Sequence, residues 1–175
     1  PSAGRVSSTS LPSGSAKELA EQIISSNKVS GDEKYISQIR NIANGNGSCP
    51  VSEKILGLIL SLSEKYKLTI SSLNRKCTGI LTASGEGSLH YAGGGGRAVD
   101  FSGVDDVTSL GTEDVYSPAG KDKARAVFND AAQILPKNAE LGQINSCGVS
   151  GVDTNGITDI VTDACNHIQI GIPDD

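Results

Sequence analysis

Residues 88–101, Ser88-Leu89-His90-Tyr91-Ala92-Gly93-Gly94-Gly95-Gly96-Arg97-Ala98-Val99-Asp100-Phe101, are the most informative segment of this chain. Arg97 to Phe101 predicts a strand entered from a glycine-rich loop, with His90 on the turn before it. Glycine has no Cβ, so four in a row let the backbone fold tightly and bring His90 and Asp100 to one centre. Imidazole and carboxylate are both zinc ligands. The spacing alone fits a surface loop with an incidental His equally well. Gly93 to Arg97 is a poor phosphate cradle, because no G-K-[ST] ending follows and the next element reads as a strand rather than a helix.

On the N-terminal side the period changes at Lys67. Leu68, Ile70 and Ser72 alternate with Thr69, Ser71 and Leu73, as in a half-buried strand, and Gly79 to Ala83 is a further short apolar piece. Three amphipathic helices are expected before it. Ser15 can cap the first, with Leu19, Ala20, Ile23 and Ile24 on one face. Asp32 caps a second over 32–44, with Tyr35, Ile36, Ile39, Ile42 and Ala43 apolar and Asn44-Gly45-Asn46-Gly47 as its stop. Ser52 opens a third carrying Ile55, Leu58, Ile59 and Leu62. On the C-terminal side, Ala124, Val127, Phe128, Ala131 and Leu135 predict a helix over 119–135 ended by Pro136, and strands are expected near 140–145 and 164–172. Helices first, then strands with one inserted helix, predict an α+β fold: a small antiparallel sheet carrying a zinc-type site, with an N-terminal helical region. The expected division is a Ser-, Gly- and Pro-rich flexible arm over 1–14, helices packed on the core over 15–66, and the α+β core over 67–175.

The 175 residues suffice for one domain of ordinary size. Twenty acidic against fifteen basic side chains leave a net charge of −5 with no offsetting Lys/Arg run, so no nucleic-acid partner is expected. No apolar run reaches the ~18 residues of a membrane span, and the most apolar stretch, residues 55–60, reads as a buried helix. The acidic pairs Asp105-Asp106, Glu113-Asp114 and Asp174-Asp175 read as solvated turns, outside any EF-hand loop. Cys49, Cys77, Cys147 and Cys165 form no C-x-x-C pair, which argues against a zinc ribbon or a thioredoxin-like site. Pairing Cys49 with Cys77 and Cys147 with Cys165 would close two loops of moderate length; the alternative is buried free thiols in a cytosolic protein. The favoured pairing points to an exported protein, secreted or at the cell surface, its signal peptide removed ahead of Pro1. Any His-based site must use His90 or His167, the two histidines of the chain.

Ser88-x-His90 followed by Gly96-x-Ala98-x-Asp100 resembles the S-x-H-x-x-G-x-A-x-D signature of the zinc D-Ala-D-Ala carboxypeptidases and their peptidoglycan-cleaving relatives. Residues 70–75, ending in Arg75, are similar to that family's strand ending in S-x-x-R. Asn166-His167-Ile168-Gln169-Ile170-Gly171 is similar to its closing D-H-x-H strand. The three pieces come in family order over residues 65–173.

The resemblance implies zinc-dependent hydrolysis of peptide bonds in peptidoglycan stem peptides, with peptidoglycan or its stem peptides as the partner. His90, Asp100 and a later histidine, here His167, would bind Zn2+, and Arg75 would stabilise the developing oxyanion or bind a substrate carboxylate. Ser88 would hold a supporting or substrate-facing position, and a nearby carboxylate would act as general base. Three departures accompany it. Gly93 to Gly95 are an insertion between His90 and Gly96. In the D-H-x-H register Gln169 stands where the usual ligand stands and His167 takes the preceding histidine's place. Strand alternation puts both on one face, so either could reach the metal, with imidazole the better ligand and Gln169 otherwise facing substrate. The family's Glu three residues before its last His is Ala164 here; Asp163, next to it, is the expected proton acceptor, with Asp159 and Glu140 as substitutes. The competing expectation is a catalytically inactive cell-wall-binding or structural surface protein that keeps the fold, with wall fragments or a cell-surface protein as its partner.

Overall fold

The computed structural model describes residues 10–82, 85–107, 111–112 and 115–173. Residues 1–9 of the expected arm, Ala83, and the pairs Glu113-Asp114 and Asp174-Asp175 lie outside them. The three expected N-terminal helices form on their expected caps. At α1 (Ala16–Ser26) the Ser15 hydroxyl accepts from the Glu18 N–H while the Glu18 carboxylate accepts from the Ser15 N–H. Asp32 caps α2 (Glu33–Ala43) and Ser52 caps α3 (Glu53–Ser63), each accepting from a first-turn N–H. The described end of the arm is packed down, with Leu11 against the core and Pro12 over Gly57 of α3.

The remaining elements are β1 (Val29–Gly31, between α1 and α2), β2 (Leu68–Ser72), the single-turn helix α4 (Arg75–Thr78), a 3-10 turn (Gly85–Gly87), β3 (Ala98–Val104), a small hairpin β4 (Gly111–Thr112) and β5 (Val115–Tyr116), α5 (Pro118–Ile134), β6 (Glu140–Gly142), β7 (Asp159–Val161) and β8 (Ile168–Gly171). Six of these strands form one sheet in the order β1-β2-β3-β8-β6-β7. Its centre is antiparallel, but β1 runs parallel to β2 and β7 parallel to β6. The helices-plus-one-sheet class is as expected, whereas the sheet is mixed and six-stranded rather than small and antiparallel. The two strands that make the difference are three-residue edge strands with no buried residue, too short to show a period. Gly79 to Thr82 forms no strand; Ile80 and Leu81 are exposed.

One face of the sheet is the core. Ile70, Val99, Phe101, Leu141, Ile168 and Ile170 are buried in one cluster with Leu58 and Ile59 of α3 and Val127, Phe128 and Ala131 of α5. The opposite face carries Asp100 and, directly across from it on β8, Gln169. A bulge in β2 adds a third residue to this row: Ile70 pairs with Phe101 and Ser72 with Asp100, so β2 advances two residues while β3 advances one. The extra residue turns Ser72 away from the side its alternation would give it, a known use of bulges beside functional sites.

The disulfide Cys147–Cys165 forms as expected and ties the segment after β6 to the segment before β8. The expected Cys49–Cys77 bond is not formed, and both are free thiols. Cys77 sits in the Asn74-capped turn of α4, its Sγ beside the Cys49 thiol and 4.0 Å from the Ser48 carbonyl. No described helix is long and apolar enough to cross a membrane.

Candidate functional site

The glycine run is a fitted turn rather than a slack loop. Gly95 and Gly96 have φ of 77° and 74°, and an added Cβ would lie 2.3 Å from Asn74 Oδ1 and 2.2 Å from the Pro50 carbonyl, respectively. The Asn74 amide donates to the Pro50 and Gly94 carbonyls at 2.7 and 3.0 Å, and the Ser52 N–H donates to the Gly96 carbonyl at 2.9 Å. The turn is thereby pinned between the starts of α3 and α4. It also presents His90: the Arg75 N–H donates to the His90 carbonyl at 2.9 Å, and the His90 N–H donates to Ser88 Oγ at 3.2 Å.

The His90 ring is buried between two strands. Its Nδ1 lies 2.8 Å from the Leu73 carbonyl oxygen and 3.3 Å from Ser72 Oγ, and its Nε2 lies 3.0 Å from Asp100 Oδ1. The Asp100 carboxylate is 5% exposed and also accepts from the Arg75 guanidinium at 2.9 Å through Oδ2, with His167 Nε2 3.8 Å from that oxygen. Burial works to raise the Asp100 carboxyl, and the charge and hydrogen bond of His90, with His167 and Arg75, outweigh it and hold it below the ordinary carboxylate range. Arg75 opens α4 rather than ending the strand, and its Nε donates to Ser72 Oγ at 2.8 Å while NH1 reaches Thr82 Oγ1 at 3.2 Å.

Beyond Asp100 a second layer forms around the start of β8. His167 Nε2 bonds Asp163 Oδ2 at 3.1 Å, and the Asp163 Oδ1 accepts from the Ala164 N–H at 2.8 Å. That hydrogen bond from His167 is the main reason the Asp163 carboxyl lies below its usual range. Burial pulls the His167 imidazole down, but the Asp163 bond and the charges of Asp100 and Asp163 prevail and hold it above its ordinary value. The buried Tyr116 hydroxyl donates to the His167 carbonyl at 2.6 Å. Gln143, fully buried with φ of 63°, accepts from the Gln169 N–H at 3.1 Å and donates to the Ala164 carbonyl at 3.1 Å. A non-glycine residue in this backbone region persists only where its surroundings over-determine it. The Gln169 amide donates to Glu140 of β6.

A cleft of about 360 Å3 opens over this row, lined by Arg75, Ser88, His90, Glu140, Asp163 and Gln169 together with Gly87, Val161 and Thr162. All seven site residues read from the sequence, Arg75, Ser88, His90, Asp100, Asp163, His167 and Gln169, therefore meet within one region. Ser72 and Gln143 join them. Ser72 is the serine of the S-x-x-R piece, whereas a buried amide joining three segments leaves no sequence signal. The donor chemistry fits zinc. Two imidazoles and a carboxylate are a usual zinc donor set, and a backbone carbonyl on Nδ1 is the usual outer partner of an Nε2 ligand. His90 Nδ1 faces the Leu73 carbonyl, which leaves Nε2 as the ring nitrogen turned to the Asp100 carboxylate. The spacing here is that of a hydrogen-bonded cluster, and among the described residues no group of three or more His, Cys, Asp or Glu is set out to hold a metal ion. Comparison with protein-family models, with curated proteins and with solved structures returns no match to this chain.

Proposed function

We propose that the chain is an exported zinc-dependent hydrolase of peptide bonds, acting on peptidoglycan stem peptides. The observation that carries the reading is His90, closed by acceptors on both ring nitrogens, with His167 Nε2 3.8 Å from the same Asp100 carboxylate. His90, Asp100 and His167 would hold the zinc, which when bound supplies a water acidified toward neutrality and a Lewis acid for the scissile carbonyl. The Leu73 carbonyl fixes the His90 ring through Nδ1, and Asn166 Oδ1 on Nδ1, with the Tyr116 hydroxyl on the backbone carbonyl, orients His167. Arg75 turns its guanidinium into the cleft beside Asp100, where it suits a substrate carboxylate or a developing oxyanion, and Ser88 lines the same wall. The substrate class rests on the resemblance over residues 65–173, and the Cys147–Cys165 disulfide supports an oxidising, secreted or cell-surface compartment.

Gln169 favours a second reading. It stands opposite Asp100, where the resemblance places a histidine ligand, and a carboxamide is a weak zinc donor. A protein that binds wall fragments or a surface protein without turnover would follow. Elemental analysis after dialysis against zinc, paired with chromatography of stem peptides and cross-linked muropeptides, separates the two. One zinc per chain and peptide cleavage, both lost in His90→Ala, support the hydrolase. Fragment binding with neither zinc nor cleavage supports the second reading and overturns the first.

A further inference from the structure

We propose that Glu140, held by the Gln169 amide, is the proton acceptor of the cleft, a role that rests on the hydrolase reading. Glu140 opens β6, four strands in from the β1 edge and outside all three pieces of the family-like signature, yet it lines the cleft together with His90, Arg75 and Ser88. The sheet builds this contact. Glu140 pairs with Gly171 and is diagonal to Gln169 on β8. An added Cβ at Gly142 would sit 3.1 Å from the Gln169 Cβ, so the glycine leaves room for the amide to reach Glu140. The Gln143 side chain fixes the Gln169 backbone from the other side.

Neither rival carboxylate is placed as well. Both oxygens of Asp163 are engaged, one by His167 and one by the Ala164 N–H. Asp159 is on the outer strand β7 and does not line the cleft. For Glu140, Oε1 accepts from Gln169, and among the described residues no other hydrogen bond reaches the carboxylate. The groups around it are Asp159 of β7, Asp163 of the following loop, His90 and Gln169. Burial, aided by the two aspartates, raises its carboxyl above the usual range despite the Gln169 bond and His90. A base gains from such a shift toward the working pH.

The chemistry closes on these atoms. An O–H bond of the attacking water breaks and its proton passes to Glu140 while the water oxygen bonds the scissile carbonyl carbon. The proton then moves from Glu140 to the amide nitrogen as the C–N bond breaks, leaving one carboxylic acid and one amine. Gln169 acts through Glu140 and is a positioning residue.

Glu140→Gln, Glu140→Asp and Gln169→Leu test this, each read by zinc content, thermal midpoint, kcat and KM on a stem peptide, and 13C-carboxyl NMR titration of the zinc-free protein. Glu140→Gln should keep its zinc and thermal midpoint and lose about 10²–10⁴-fold in kcat with KM little changed. Glu140→Asp should recover part of that loss, because the carboxylate returns at a shorter reach. In Gln169→Leu the Glu140 resonance should titrate at higher pH, and the acidic limb of the pH–rate profile should move with it. Turnover that is lost in His90→Ala but kept within threefold in Glu140→Gln overturns the role of Glu140 and leaves the hydrolase standing. Zinc uptake with every stem peptide intact overturns both. A Glu140 resonance unmoved in Gln169→Leu overturns the positioning role.

Discussion

Gln169 stands directly opposite Asp100 across the antiparallel pair of β3 and β8, and its amide is turned sideways along the sheet to Glu140. A strand side chain at this register has two neighbours within reach, one across from it and one diagonal to it. Glutamine takes the diagonal one. Gln169→His would put an imidazole across from Asp100 and remove the donor from Glu140. Zinc affinity, measured by competition with a chromophoric chelator, should tighten about tenfold, a change of roughly 1.4 kcal/mol. An unchanged affinity would mean that this register does not face the metal.

Asp100 is the hub on which the cations of the site depend. It is 5% exposed and faces His90, Arg75 and His167, with Arg75 itself 13% exposed. Asp100→Asn keeps the shape and removes the charge. Removing one partner of a buried ion pair typically destabilises by about 3–5 kcal/mol, because the remaining charge is left uncompensated. Urea unfolding at pH 7 should show a loss in that range, and Asp100→Asn combined with Arg75→Leu should recover part of it. A double variant no better than the single one would mean that Arg75 is not what the carboxylate compensates.

What could be read from the sequence is what rests on local pattern. Ser15, Asp32 and Ser52 announce their helices because a cap needs only its own first turn. His90 and Asp100 are legible as a pair because a short glycine turn joins them; loop length gives Cys147–Cys165 correctly and Cys49–Cys77, an equally ordinary loop, incorrectly. What could not be read depends on partners distant in sequence. β1 and β7 exist because β2 and β6 offer them edges, not because their three residues favour a strand. Ser72 reaches the site through a bulge that simple alternation does not foresee, and Glu140, which the sequence offers only as one of two substitute carboxylates, is brought to the cleft through β8, 29 residues further on. The sequence shows Gly93 to Gly95 only as an insertion, whereas in the fold Gly95 is packed on Asn74, a partner 21 residues earlier.

That packing gives a direct test. Gly96 has φ of 74° and a Cβ there would meet the Pro50 carbonyl at 2.2 Å, whereas a Cβ at Gly47 would meet nothing within 4 Å. Gly96→Ala combines an unfavourable backbone region with a backbone clash and should destabilise by about 1–3 kcal/mol or more. Gly47→Ala should be close to neutral in the same thermal unfolding measurement. Equal midpoints for the two variants would show that the turn yields instead of resisting.

The free thiols supply the pH-dependent test. Partial burial, followed by the neighbouring Cys49 thiol, pushes Cys77 up to about 11. Only the thiolate attacks an alkylating agent, so below that value its rate should rise about tenfold for each pH unit. Stopped-time labelling with iodoacetamide between pH 7 and 10, followed by peptide mass spectrometry, measures this at Cys77 directly. Cys49→Ala removes the neighbouring group and should speed labelling at pH 8. In the unreduced chain, Cys147 and Cys165 should appear in one linked peptide while Cys49 and Cys77 both take the label. Absence of label from both, with a Cys49–Cys77 linked peptide in its place, would mean that the chain closes the second bond after folding, clamping the helix that begins with Arg75.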